Sequence, residues 1–357
     1  MKTRKLLYIL LLVIALGMAA CQTASPPDAS VEIVSTEAVV ISTEISGEIP
    51  VTVIPLDGDI AKPSAEISGL AWYREHLVLL PQYPGLFASS GDGSLFTIPK
   101  EQILAYLDGV STDTITADTI ALIAPGLAEG IQDFEGYESI AFDTDIAYLT
   151  IEASPGSSML GYVVSGELND DLIALTLGID TLQEIPPQAK IGNMSDEAVL
   201  VVSDQVLTFY EANGANVNPK PAVHLFDLAL YPLGTQPFAT IEYRITDVTA
   251  PDAEGRFWAI NYMYPGDKGK LDPAADELTA LYAEGATHAR SEVVERLVEF
   301  QYTAAGVLRT DTPPIQLQLL DNGEARNWEG IVRLDDRGFL LVTDKFPGTI
   351  LAFVPLP

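Results

Sequence analysis

A chain of 357 residues, 48% of them hydrophobic, can bury a sizeable core in one large domain or two small ones. Its 50 Asp and Glu against 19 Lys and Arg give a net charge of −31, a field that excludes nucleic-acid binding, which depends on cations neutralising phosphates. Three scattered histidines form no metal spacing, a single cysteine allows no internal disulfide, and no nucleophile elbow, Walker loop or dinucleotide fingerprint is present.

Residues 1–20 stand apart from the core. Lys2, Arg4 and Lys5 form a basic start, Leu6 to Leu16 an apolar run, and Met18-Ala-Ala-Cys21 a small-residue cleavage site ending in cysteine. The run is too short and too asymmetrically flanked for a spanning helix, so it reads as a signal peptide. It resembles a bacterial lipoprotein signal, with Met18 where Leu is usual. That resemblance implies lipidation at Cys21 and an exported protein, periplasmic or on the cell surface, that meets the membrane through its lipid only. Without the three leader cations, 16 basic residues face 50 acidic ones, a charge of −34. An acidic solvated surface that keeps a monomer soluble accounts for most of it. Residues 21–48, rich in Ser, Thr, Pro and Glu, form a tether, within which Val31 to Ile41 alternates like a strand.

From residue 49 the chain repeats a short unit. Ser68–Trp72, His76–Leu80, Ser94–Ile98 and Thr114–Ile123 read as four strands. Glu138–Phe142, Ile146–Ile151, Met159–Val164 and Leu172–Leu177 form a second set. Glu197–Val202, Val206–Tyr210, Ala222–Phe226 and Phe238–Tyr243 form a third, and Asp247–Ala250, Arg256–Ile260, Arg296–Tyr302 and Ile315–Leu320 a fourth. The fifth, beginning at Arg326-Asn-Trp-Glu329, offers only Gly330–Leu334, Phe339–Thr343 and Ile350–Val354, the first two joined by the turn Asp335-Asp-Arg-Gly338. Val51–Pro55 can supply the missing strand, which is how propellers close their ring. The predicted fold is all-β, a five-bladed β-propeller over residues 49–357 closed by an N-terminal strand. Helix formers over Asp272 to Val298 predict a helical insertion between the second and third strands of blade four.

The first strand of each propeller blade lines the central channel. Aligning the repeats puts Ser68, Glu138, Glu197, Asp247 and Glu329 at one level, spaced by 70, 59, 50 and 82 residues. In the least regular repeat Thr246 competes with Asp247 for the position. Carboxylates converging on one axis repel unless protonated or neutralised. A hard cation with irregular oxygen coordination resolves the conflict, and Ca2+ suits it better than magnesium. The alternative is that these acids cap strands, bind water or pair with Arg244 and Arg326. The same mouth should gather Glu66, Gln82, Tyr83, Asp133, Glu135, Glu152, Asn193, Tyr262, Asn327 and Asp344, and the insertion could add His288. Arg244, Arg326, Lys345 and Arg290 form the natural set for binding an anionic small molecule there.

Glu66-Ile-Ser-Gly-Leu-Ala-Trp72, Asp133-Phe-Glu-Gly-Tyr-Glu-Ser-Ile-Ala-Phe142 and Asn327-Trp-Glu-Gly-Ile-Val332 resemble blade starts of bacterial phytase-like ("esterase-like activity of phytase") propellers. The order of the channel residues is also similar to that of calcium-activated nucleotidases, whose pattern has a serine where Asp247 stands. The resemblance implies a propeller with a central calcium and, more distantly, phosphoester hydrolysis. Together the readings predict a lipid-anchored calcium propeller that hydrolyses phosphoesters or carboxylic esters, with Glu138 or Glu329 activating water. The alternative is a non-catalytic binding module in which calcium only locks the ring.

Overall fold

The computed structural model describes residues 47–156 and 159–357. The leader, Cys21 and nearly all of the tether lie outside the described residues. The strands form antiparallel meanders arranged as a β-propeller. The first is Ile67–Tyr73, His76–Pro81, Gly93–Pro99 and Asp118–Ile123; the second is Phe134–Asp143, Ile146–Ala153, Leu160–Leu168 and Ala174–Leu177. The third is Asp196–Val202, Gln205–Tyr210, Ala222–Asp227 and Pro232–Pro237. In the fourth, Arg244–Val248, Arg256–Met263, Val294–Thr303 and Gly306–Arg309 pair in order. The fifth, Trp328–Leu334, Gly338–Thr343 and Leu351–Pro355, is completed by Thr52–Ile54, with Thr52 opposite Phe353 and Ile54 opposite Leu351. The first strands of successive meanders pack side by side in a closed ring, the fifth against the first. The outer strands of the first two also pair in parallel, Ala121 opposite Ala174.

This packing explains the sequence pattern. A strand between two neighbouring blades is covered on both faces, so runs such as Leu77-Val-Leu-Leu80 and Phe339-Leu-Leu-Val342 are apolar throughout rather than alternating, and all eight residues are buried. Burying an aliphatic side chain of this size is worth about 1.5–3 kcal/mol, and these runs supply most of the core.

Two outer strands lie elsewhere than the sequence suggests. The fourth strand of blade three is Pro232–Pro237, not Phe238–Tyr243. It is a solvent-exposed edge, where proline costs no ladder hydrogen bond, while Phe238 and Ile241 leave the sheet to join the core. The fourth strand of blade four is Gly306–Arg309, with Ile315–Gln316 pairing separately with the same third strand. Thr114–Ile123 is interrupted, its start pairing with Leu56–Asp57 and its remainder with blade one. Lys100–Leu107 forms a helix that strand periodicity gave no reason to expect.

The insertion sits where expected, between Arg256–Met263 and Val294–Thr303, but holds only short helices, Lys268–Leu271 and Glu277–Tyr282, and residues 294–298 already belong to the strand. Asp276 caps the second helix by accepting from the Leu278 amide, and it also receives Arg296 Nη1 at 2.6 Å. Glu48 latches the turn behind it, accepting from the amides of Thr287 and His288, the Thr287 hydroxyl and His288 Nδ1. His288 is therefore a buried structural residue, its Nε2 accepting from the Glu295 amide at 3.2 Å.

Candidate functional site

Each innermost strand is irregular at one equivalent place, and that of blade two is irregular a second time at Glu135. Pairing with the second strand skips Ser68, then Glu138 and Ser139, then Glu197, then Thr246 and Asp247, then Glu329. A bulge leaves a residue outside the ladder and re-aims its side chain. Five bulges at one level thus turn polar side chains towards the channel mouth while flanking residues keep packing. In blades one and five the residue after the bulge is glycine, because neighbouring inner strands approach closely there. A Cβ on Gly69 would lie 3.1 Å from Ser139 Cα, and one on Gly330 would lie 3.0 Å from the Leu70 amide nitrogen.

The two double bulges settle the alignment of blade four. Ser68 Oγ donates to the Tyr137 carbonyl at 2.7 Å, the residue before Glu138 in the next blade. Thr246 Oγ1 donates to the Trp328 carbonyl at 2.6 Å, the residue before Glu329. Thr246 is therefore the counterpart of Ser68. Asp247 faces another way, accepting from Ser139 Oγ at 2.9 Å and from the Ile331 amide at 2.9 Å. Burial pushes its carboxyl well up, against these hydrogen bonds.

Glu138, Glu197 and Glu329 are buried around one guanidinium. Arg244 Nη2 lies 3.3 Å from both Glu197 Oε2 and Glu329 Oε1, and its Nε pairs with Glu211. Arg244 Nη1 donates to Asn327 Oδ1 at 3.4 Å. Burial works against the Arg244 charge, and Glu329 and Glu197 more than offset it, so the side chain stays a cation. Glu211 follows the second strand of blade three, as Gln82 and Asp344 follow theirs in blades one and five; the sequence reading missed it, although Tyr210-Glu211 repeats that placement.

One cation does not balance this cluster. Burial pushes Glu197 up to about 7 despite Arg244, and it pushes Glu152 up to about 8, with Glu197 and Glu135 adding to the shift. Burial, then repulsion from Glu152 and Glu197, holds Glu138 well above the usual carboxylate range. Burial does the same to Glu329 against the pull of Arg244. Glu138 is met by Gln82 Nε2 at 3.1 Å rather than by a cation. Glu152 Oε1, Glu211 Oε2 and Asp344 Oδ1 are buried with no hydrogen-bond partner among the described residues.

The other basic residues read from the sequence lie apart from one another. Arg326 is buried against Glu295, with Nε–Oε2 at 2.8 Å and Nη2–Oε2 at 2.7 Å. Lys345 pairs with Glu66 at 2.8 Å. Arg290 is exposed in the insertion. A pocket of about 630 Å³ opens over Arg244, walled by Tyr262, Tyr264, Pro265, Asp267, Glu324, Asn327, Phe346 and Pro347. Among the described residues no three His, Cys, Asp or Glu side chains surround a common point as metal ligands; between Glu197 and Glu329 that place is taken by the guanidinium.

No family model and no curated protein matches the sequence, so the phytase-like resemblance of the blade starts gains no support there. Solved structures match over most of the chain at low identity and with TM-scores under 0.5. The bifunctional GH43-CE protein of Bacteroides eggerthii is 9% identical with a TM-score of 0.43, over 86% of this chain and 34% of its own. The Bombyx mori GH32 β-fructofuranosidase is 10% identical with a TM-score of 0.43, over 85% and 59%. A mutant of the Cellvibrio cellulosa α-L-arabinanase is 11% identical with a TM-score of 0.43, over 80% and 90%. The chain thus spans about a third and about three-fifths of the first two. At these levels the likenesses carry no information about chemistry.

Proposed function

We propose that the channel mouth is the active site of a calcium-dependent hydrolase acting on ester bonds. The observation that carries the proposal is the convergence of three buried carboxyl groups, Glu197, Glu211 and Glu329, on a single guanidinium beneath an open pocket, with Glu138 and Glu152 buried beside Glu197. Proteins rarely bury so many like charges unless the site is used.

The donors are of the kind a hard cation takes, and Glu197 and Glu329 would have to turn from Arg244 to hold one. Glu138, Glu197 and Glu329 with the hydroxyls of Ser68 and Thr246 offer only oxygen, and Glu152 has a buried oxygen without a partner. When bound, the ion would neutralise the cluster and polarise an ester oxygen. Within the chain, Glu329 in its ionised form would take a proton from water; it touches the Arg244 side chain that lines the pocket. Arg244 and Asn327 face the space in which oxyanion charge would develop. Glu152, near neutrality in its protonation, is suited to return a proton to the leaving group.

A panel of carboxylic and phosphoric esters, run with calcium and with chelator, tests the reading. Turnover that needs calcium is expected. Glu329→Gln should lower it by about 10²–10⁴-fold, the usual loss of a general base, with an unchanged melting temperature. Silence across the panel with calcium present would replace the enzyme by a binding module whose ion only locks the ring.

A further inference from the structure

The charge around the pocket is opposite to what an anionic substrate needs. Arg244 is engaged by Glu197, Glu211 and Glu329 at once. Asp267 and Glu324 stand on the wall, and Asp344 lies close enough to raise the Glu197 carboxyl further. The cations nearby are Arg244, Lys270, whose Nζ is 3.6 Å from Asp267, and Lys345, which lies beside Asp344 and is paired with Glu66 at 2.8 Å. Seven acids, Glu66 included, therefore face three bases. A bound divalent cation would still leave the acids in excess, and so would protonation of Glu197, Glu329 and Asp344.

The rest of the wall is aromatic. Tyr264 is 52% exposed and Phe346 63% exposed, flanked by Pro265 and Pro347. Tyr262 lines the same pocket while only 2% exposed, its ring face covered by the Arg244 guanidinium at 5.6 Å. Exposed aromatic rings beside uncompensated carboxylates suit a cation with an apolar body, attracted by ring faces and by the field together.

We propose that this pocket binds an organic cation, an ammonium or quaternary ammonium group carried on an apolar body, and does not bind phosphate-bearing anions. The proposal rests on the reading of the mouth as a ligand pocket and names the class of molecule that enters it. In a hydrolase the substrate is then a cationic ester, with its ammonium end between Tyr264, Phe346 and Glu324 and its ester above Arg244.

Calorimetric titration of the full chain with benzyltrimethylammonium, benzyl alcohol and phenyl phosphate, with calcium present, tests this without requiring turnover. The ammonium probe should bind about tenfold tighter than the alcohol, the preference expected of a desolvated cation–π contact, and phenyl phosphate weakest. Glu324→Gln and the double variant Tyr264→Ala/Phe346→Ala should each remove most of that preference; both alter exposed side chains, so folding is checked by the melting temperature alone. Tighter binding of phenyl phosphate, equal binding of all three, or binding of none would overturn the proposal. Ammonium binding with a silent ester panel would sink only the hydrolase reading. Turnover that favours anionic esters would sink only this one.

Discussion

Arg244→Met should destabilise the protein by about 3–5 kcal/mol near neutral pH, the cost of removing one partner from a buried ion pair. The reason lies in how many groups share the guanidinium. Glu197, Glu211 and Glu329 all touch it, and Glu211 is fully buried. Without it three carboxyl groups must either ionise in a low-dielectric site or take protons. The loss should therefore shrink as pH falls towards 5, where protons replace the missing cation. Arg244→Lys should be intermediate, because a compact ammonium cannot reach three acceptors as a planar fork does. Urea denaturation at pH 5 and 7.5 checks both statements, and an equal loss at the two pH values would show that packing against Tyr262 outweighs charge.

A loss of similar size is expected for Glu295→Ala. Glu295 is fully buried and accepts from the Arg326 amide, Arg326 Nε and Trp328 Nε1, each at 2.8 Å. Removing it strands a buried guanidinium and a buried indole donor, again about 3–5 kcal/mol. Trp328 and Arg326 lead directly into the bulge at Glu329, so this carboxylate also fixes the start of the innermost strand of blade five. Glu295→Gln keeps the acceptor oxygen and should recover part of the loss. Thermal melting of the two variants, read side by side, separates the hydrogen bonds from the charge.

The inner ring was legible because an acid or hydroxyl followed by a small residue recurs before each apolar run: Ser68-Gly, Glu138-Ser, Glu197-Ala and Glu329-Gly. The geometry that makes it a ring was not. Bulges leave no periodic trace, so a strand that skips one residue and a strand that skips two look alike, and Asp247 was as good a candidate as Thr246. The closing strand was readable because blade five visibly lacked one. The outer strands of blades three and four were misplaced for a different reason: edge positions tolerate proline and polar residues, so Pro232–Pro237 carries no strand pattern. Nor could sequence tell which basic residues are free. Arg326 and Arg244 look equivalent along the chain, yet one is tied to Glu295 and the other is shared by three acids at the pocket.

Calcium titration by calorimetry, repeated in buffers of different ionisation enthalpy, tests the central claim most directly. Burial pushes Glu152 up to about 8 and holds Glu138 and Glu329 well above the usual carboxylate range, so calcium should bind with release of protons at pH 7. The same carboxyls set the pH dependence of the chelated protein. Their folded values lie above the unfolded value of about 4.5, so the folded state holds more protons between that value and about 8. Stability is then fully present below pH 4.5 and falls as pH rises through 8, where calcium should restore it as a higher melting temperature. Absence of binding heat, together with a melting temperature that calcium leaves unchanged at pH 8, would contradict the account.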